Sequence, residues 1–333
     1  MFYPPVAAMY AWLSVRYGGL ALPTVANPSF RNGGLIGESK IDILCALMSA
    51  APERVADGYL LPTAPLPQRI EQLDRICREK SLEYPLVLKP NVGQRGAGFR
   101  VISCRADAEK YLAQVKAGVI LQRYVPDEKE IGVFYYRIPG EQRGEIFAVT
   151  QKLFPAVIGD GSSIFEQLLG KDERASLIAA TYLHRFPGLR GQVLPAGQRV
   201  RLVEAGNHCQ GCIFRDGGHL ITDALRQQVD NISKGIPGFY IGRYDIRYAA
   251  DEDLARGNFK IIELNGAASE ATNIYDERNS LFSAYQTLYQ QWELVFRIGR
   301  ANRDRGFQTA PVLDVLRDAK LYAAVSRAYP ASD

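Results

Sequence analysis

The order of elements along the chain predicts an α+β fold. Strands and helices mix without the strict strand–helix–strand repeat of a doubly wound sheet, and several strands pair as hairpins. Residues 240–248 and 259–264 are the clearest case. Both are rich in aromatic and β-branched residues, and a polar, Gly-containing turn over 250–258 joins them. A chain of 333 residues holds one large domain or two to three small ones. Its 47% hydrophobic and 23% charged residues are ordinary for a soluble globular protein.

From the N-terminus, residues 6–17 read as a packed helix. The apolar stretch 1–22 is interrupted by Pro4, Pro5 and Arg16, so neither a signal peptide nor a transmembrane segment is expected. A turn-rich loop over 26–34 precedes a helix over 38–50. Residues 61–67 are an extended, Pro-rich connection into a helix over 68–80. A strand at 86–89 is ended by Pro90. A glycine-rich loop (91–98), a strand at 99–102, a helix at 106–116 and a strand at 119–122 follow. Residues 130–137 and 145–150 read as an antiparallel pair, 160–186 as helical, and 199–204 as strand again. A long helix over 280–299 carries the stripe Phe282, Tyr285, Tyr289, Trp292 and Phe296, expected in the core or on a dimer surface.

The hairpin carries the chemistry. Strand side chains alternate faces, so Arg243, Asp245 and Arg247 share one face, and Glu263 and Asn265 share a face of the next strand. If the faces coincide, two carboxylates and an amide oxygen converge. Such an oxygen set on rigid strands suits Mg²⁺, which keeps waters and borrows substrate phosphates as ligands. The loop after Lys89 is neither a P-loop nor a dinucleotide fingerprint, because no Gly-Lys-Ser/Thr closes it and a strand follows. It is either a flap that lays backbone N–H groups over phosphates or a long hairpin turn needing Gly. Lys89 would add a point charge to the phosphates.

The ordered set Lys89-Pro90, glycine flap, Gln122, Glu130, Arg243-x-Asp245 and Glu263-x-Asn265 resembles the ATP-grasp superfamily. Within it, the set looks like the carboxylate–amine ligases, similar to D-alanine–D-alanine ligase and to cyanophycin- and glutathione-synthetase-like domains. The resemblance covers residues 84–275. It implies an ATP-grasp fold in which two α+β subdomains clamp ATP. Residues 1–80 would be a short, mainly helical N-terminal segment, 81–125 the small flap subdomain, 126–310 the large subdomain with the metal and substrate site, and 311–333 a C-terminal helix or tail.

The resemblance also assigns residues. Lys89, Gly93, Gly96, Gly98 and Lys152 would meet the ATP phosphates. Gln122 and Tyr124 would meet adenine, although the family often has an acid in place of Gln122. Glu130 would meet the ribose. Asp245, Glu263 and Asn265 would hold Mg²⁺, two ions, with Mn²⁺ as the alternative. Arg243, with Lys152, would act in catalysis by steadying an acyl phosphate. Lys40 is either a first phosphate lysine or a solvated residue at a helix start. His208, Arg215 and Ser269 are substrate candidates. The segment Gly159-Asp160-Gly161 is similar to a Val-x-Gly-Asp-Gly segment of such ligases and also reads as a turn before a helix.

The implied reaction joins a carboxylate to an amine through an acyl phosphate, releasing ADP and phosphate. A kinase acting on a small-molecule hydroxyl and a non-catalytic ATP-binding module are the alternatives. Expected partners are small-molecule carboxylates and amines, with room for a homodimer. The net charge of +4 gives no case for nucleic acid. Five scattered cysteines fit a reducing compartment, so a cytoplasmic protein is expected. His208, Cys209 and Cys212 have no second pair at finger spacing, so a loop is expected there rather than a zinc site.

Overall fold

The computed structural model describes residues 2–93, 98–326 and 329, so Gly96 lies outside the described residues. The chain starts with α1 (Pro4–Tyr17) and α2 (Lys40–Ala50), the latter capped by the Ser39 hydroxyl. Then come β1 (Gly58–Leu61), α3 (Leu66–Lys80), β2 (Leu86–Pro90), β3 (Arg100–Ile102), α4 (Arg105–Gln114) and β4 (Val119–Arg123). These strands form a four-stranded antiparallel sheet in the order β1-β4-β2-β3. Its apolar face packs Leu86, Leu88 and Leu121 against Ile70 and Leu73 of α3 and Tyr111 of α4. Segment 58–80 therefore contributes a strand and a helix to this layer.

The larger layer follows. β5 (Lys129–Tyr136), β6 (Glu145–Leu153), β9 (Ile213–Asp216), β10 (Ile241–Tyr248) and β11 (Lys260–Asn265) form a five-stranded sheet in the order β11-β10-β5-β6-β9. Between β6 and β9 the chain makes β7 (Ala156–Ile158), α5 (Phe165–Lys171), α6 (Glu173–Leu177), α7 (Ala179–Arg185) and β8 (Arg199–Arg201), with β7 and β8 paired. α8 (Asp223–Lys234) and α9 (Asp251–Ala255) flank β10 in sequence. α8 buries Leu225, Val229 and Ile232, spaced to lie along one helical face, together with α2 under the large sheet. α10 (Leu281–Asp304) covers the other face through Leu294, Val295 and Ile298. The last helix is α11 (Val312–Ser326). No helix among the described residues is long and apolar enough to cross a membrane.

The α+β expectation and both main hairpins hold. The expected helix over 160–186 does not. Asp160 takes the Ser162 and Ser163 N–H groups at 2.9 and 2.6 Å, making a turn. Asp172 then takes the Arg174 and Ala175 N–H groups and starts a new helix at Glu173. Side-chain acceptors that compete for backbone N–H groups break the run into three short helices. The aromatic stripe of α10 is divided by burial. Trp292 and Phe296 meet Tyr10 of α1 edge-on at centroid distances of 5.2 and 5.0 Å, while Phe282 is 78% exposed.

Candidate active site

The register of β10 and β11 brings the expected faces together. Asp245 lies directly opposite Glu263, and Arg243 opposite Asn265. Just beyond that pair the register shifts and Ile246 pairs with Ile261, so Ile262 drops out of the ladder. A bulge of this kind frees backbone groups for other partners. The Ile262 carbonyl accepts from Lys89 Nζ at 3.1 Å and from Gln122 Nε2 at 3.2 Å. Lys89 is on β2 and Gln122 on β4, so the bulge ties the small sheet to the strand that carries Glu263.

The facing carboxylates lie in a cleft of about 590 Å³, and each is met by a cation. Lys40 Nζ is 2.5 Å from Glu263 Oε1. Lys152 Nζ bridges Glu130 Oε1 at 2.8 Å and Asp245 Oδ1 at 3.0 Å. Arg243 Nε is 3.0 Å from Asp245 Oδ1, and Arg247 Nε is 3.0 Å from Glu130 Oε2. Burial pushes the Asp245 pKa up, but Arg243 and Lys152 outweigh it and hold the carboxyl at about 2. Burial likewise raises Glu263, and Lys40 with Lys89 overcomes it, so its pKa lies below the ordinary value. Lys89 donates to a carbonyl rather than a carboxylate, and burial lowers its pKa to about 8. Part-buried Glu38 shows the opposite balance. Burial pushes it up to about 7 against the pull of Lys40.

The N-terminal segment reaches this cleft by close backbone approach. Gly34 and Gly266 pack so tightly that a Cβ on Gly266 would lie 2.5 Å from Gly34 Cα and 2.9 Å from Glu38 Oε2. The Ala268 N–H bonds the Gly34 carbonyl at 3.0 Å, and the Gly266 N–H bonds Glu38 Oε2 at 3.3 Å. This docking delivers Glu38 and Lys40 beside β11. On the opposite wall, a Cβ on Gly206 would meet Glu130 Oε1 at 2.3 Å, so a glycine there lets the 204–208 loop lie against the Lys152–Glu130 pair.

Lys40, Lys89, Gly93, Glu130, Lys152, His208, Arg243, Asp245, Glu263, Asn265 and Ser269 all line the cleft. Lys40 thus sits on a carboxylate, not in solvent. Four other expected residues lie elsewhere. Gln122 is buried with its amide on the Ala56 and Ile262 carbonyls. Tyr124 bonds Glu204 Oε2 at 3.4 Å and stacks under Arg247. The Gly98 carbonyl accepts from Tyr111. Arg215 lines a separate open hollow and pairs with Asp276 and Glu277. Glu38, Tyr3 and Tyr275 also line the cleft, and no pattern in the sequence assigned them a role. Arg247 shared the face of Asp245, which was the available signal for it. The Cys212 thiol is buried against the Ala205 carbonyl.

No protein-family model and no curated protein matches the sequence. Among solved structures the chain is similar to several ligases and synthetases, one of them the ATP-grasp ligase PsnB. A bifunctional glutathione synthetase from Pasteurella multocida aligns over 75% of this chain and 36% of its own, at 18% identity and a TM-score of 0.37. A D-alanine–D-alanine ligase from Bacillus anthracis aligns over 83% and 72%, at 13% identity and a TM-score of 0.47. The D-alanine–D-alanine ligase from Coxiella burnetii aligns over 86% and 62%, at 10% identity and a TM-score of 0.41. The chain therefore spans about a third of the first of these proteins and under two thirds of the last.

Proposed function

We propose that the cleft is the active site of an ATP-dependent carboxylate–amine ligase. The observation that carries this reading is the cross-strand set Asp245, Glu263 and Asn265 ringed by Lys40, Lys89, Lys152 and Arg243. Paired carboxylates with an amide beside them, all on adjacent strands, would fit Mg²⁺ once the Asn265 amide, whose Nδ2 now donates to Asp245 Oδ2 at 3.5 Å, turns its oxygen to the ion. Lys40, Lys152 and Arg243 now balance the negative charge that a divalent ion would share. Asp245, Glu263 and Asn265 would hold Mg²⁺, which when bound would supply positive charge against the ATP phosphates.

The chain's own residues supply the rest. Lys89 and Lys40 offer ammonium groups to the phosphates from the small sheet and the N-terminal segment. In the first step a substrate carboxylate oxygen bonds the γ-phosphorus and the bond to the ADP oxygen breaks. In the second, an amine nitrogen bonds the acyl carbon, inorganic phosphate leaves with the bridging oxygen, and the amine proton passes to solvent. Arg243 is held by Asp245 and by the Glu270 carbonyl at 3.0 Å, so its guanidinium is oriented before substrate arrives. Such preorganised charge is the main catalytic resource for phosphoryl transfer.

Incubation with ATP, Mg²⁺ and a panel of carboxylic acids, with hydroxylamine as trap, tests this reading. A hydroxamate formed only when acid and ATP are both present is the expected result. A phosphorylated hydroxyl compound without hydroxamate would make the protein a kinase instead.

A further inference from the structure

The loop that follows β11 carries Glu270, which lines the same cleft. Its two oxygens are fixed by phenols. Tyr275 donates to Oε2 at 2.7 Å and Tyr3 to Oε1 at 3.4 Å, and the two hydroxyls are themselves 3.4 Å apart. A carboxylate has about four lone-pair directions, so two phenols leave acceptor capacity over. Asp245, Glu263 and Glu130 each touch a lysine or arginine. Among the described residues, Glu270 has no cationic nitrogen within 4.0 Å.

The surroundings suit an organic cation. His208 stacks on the Tyr275 ring at 5.5 Å and 20°. Arg174 donates to His208 Nδ1 at 3.2 Å, which leaves the imidazole as an acceptor at that atom and so uncharged. Burial, then Arg174, lowers its pKa, so it adds no positive charge. A carboxylate with acceptor capacity to spare and no cation beside it attracts ammonium groups. The Glu270 carbonyl is bound to Arg243, which fixes this seat relative to the guanidinium assigned to the acyl phosphate.

We propose that Glu270, braced by Tyr3 and Tyr275, is the seat for an ammonium group of the amine substrate, and that this substrate is an organic cation. The proposal rests on the ligase reading for its place in the reaction but not for its binding chemistry. The N-terminal segment completes the seat, because Tyr3 precedes α1.

Benzylammonium and its neutral isostere benzyl alcohol are the probes, titrated into the full chain with Mg²⁺ and ADP and followed by ligand-observed NMR. Benzylammonium should bind at least tenfold more tightly than the alcohol, and Glu270→Gln should erase that preference. Equal binding of the two by the wild-type protein, no binding of benzylammonium, or a preference that survives Glu270→Gln overturns the proposal. The wild-type comparison needs no variant to fold. Failure of the ligase reading would show separately, as absence of hydroxamate while the ammonium preference persists.

Discussion

Lys152 stands between two buried carboxylates, with side chains of Lys152 and Glu130 only 3% and 2% exposed. Breaking a buried ion pair leaves an uncompensated charge, which is costly. Arg247 on Glu130 and Arg243 on Asp245 soften the loss. Lys152→Met should therefore destabilise the fold by about 3 kcal/mol, the low end for a broken buried pair, read as a lower midpoint in urea. An unchanged midpoint would mean that the two arginines suffice. Away from the cleft, Asp276 takes the Arg278 side chain and the Asp216 N–H, and these bonds hold its pKa well below the ordinary value. A depressed folded pKa gives stability that is present above the unfolded value of about 4 and lost as pH falls. Asp276→Asn should cost about 2 kcal/mol near pH 7, and the gap to wild type should close as the pH drops below about 4. Urea titrations across pH would show a constant gap if Asp276 were unshifted.

The contact of the Gly34 loop with the end of β11 is an element-scale device. Gly266→Ala places a Cβ 2.5 Å from Gly34 Cα, and neither backbone can yield without moving Glu38 and Lys40. The expected result is a loss of about 1–3 kcal/mol, as for other overpacked sites, with weaker ATP binding. A variant that keeps wild-type stability and affinity would argue against delivery of Lys40 by this contact. Arg243, Asp245, Glu263 and Asn265 were legible because strand alternation is local, and the observed register places them as expected. Tyr3, Glu38 and the ambiguity over Lys40 were not legible. Their placement depends on pairing between residues more than two hundred positions apart, for which no local pattern exists. α8 was missed although Leu225, Val229 and Ile232 repeat at helical spacing. β1, β7 and β9, of three or four residues each, give alternation little room to show.

At the scale of the molecule, two sheets enclose the cleft and several long-range contacts join them. Besides the bulge at Ile262, the Asn91 side chain accepts from the Ile41 N–H at 2.9 Å, and the Asn91 carbonyl accepts from the Lys40 N–H at 3.1 Å. α11 is tied to the 31–32 turn through Asp318, which takes Arg31 and Asn32 at 2.6 and 2.9 Å. Tyr329, just beyond α11, donates to the Gly118 carbonyl at 2.8 Å, so the C-terminal segment touches both layers. A nucleotide held between the sheets would be met from both sides, with the metal set on one and Lys89 on the other. Calorimetric titration of ATP into wild type and Asp245→Asn, each with Mg²⁺ and with EDTA, tests this arrangement most directly. The expected outcome is tight binding only for wild type with Mg²⁺. Equal ATP affinity in EDTA, or in Asp245→Asn with Mg²⁺, would contradict the assignment of Asp245, Glu263 and Asn265 to a metal needed for ATP binding.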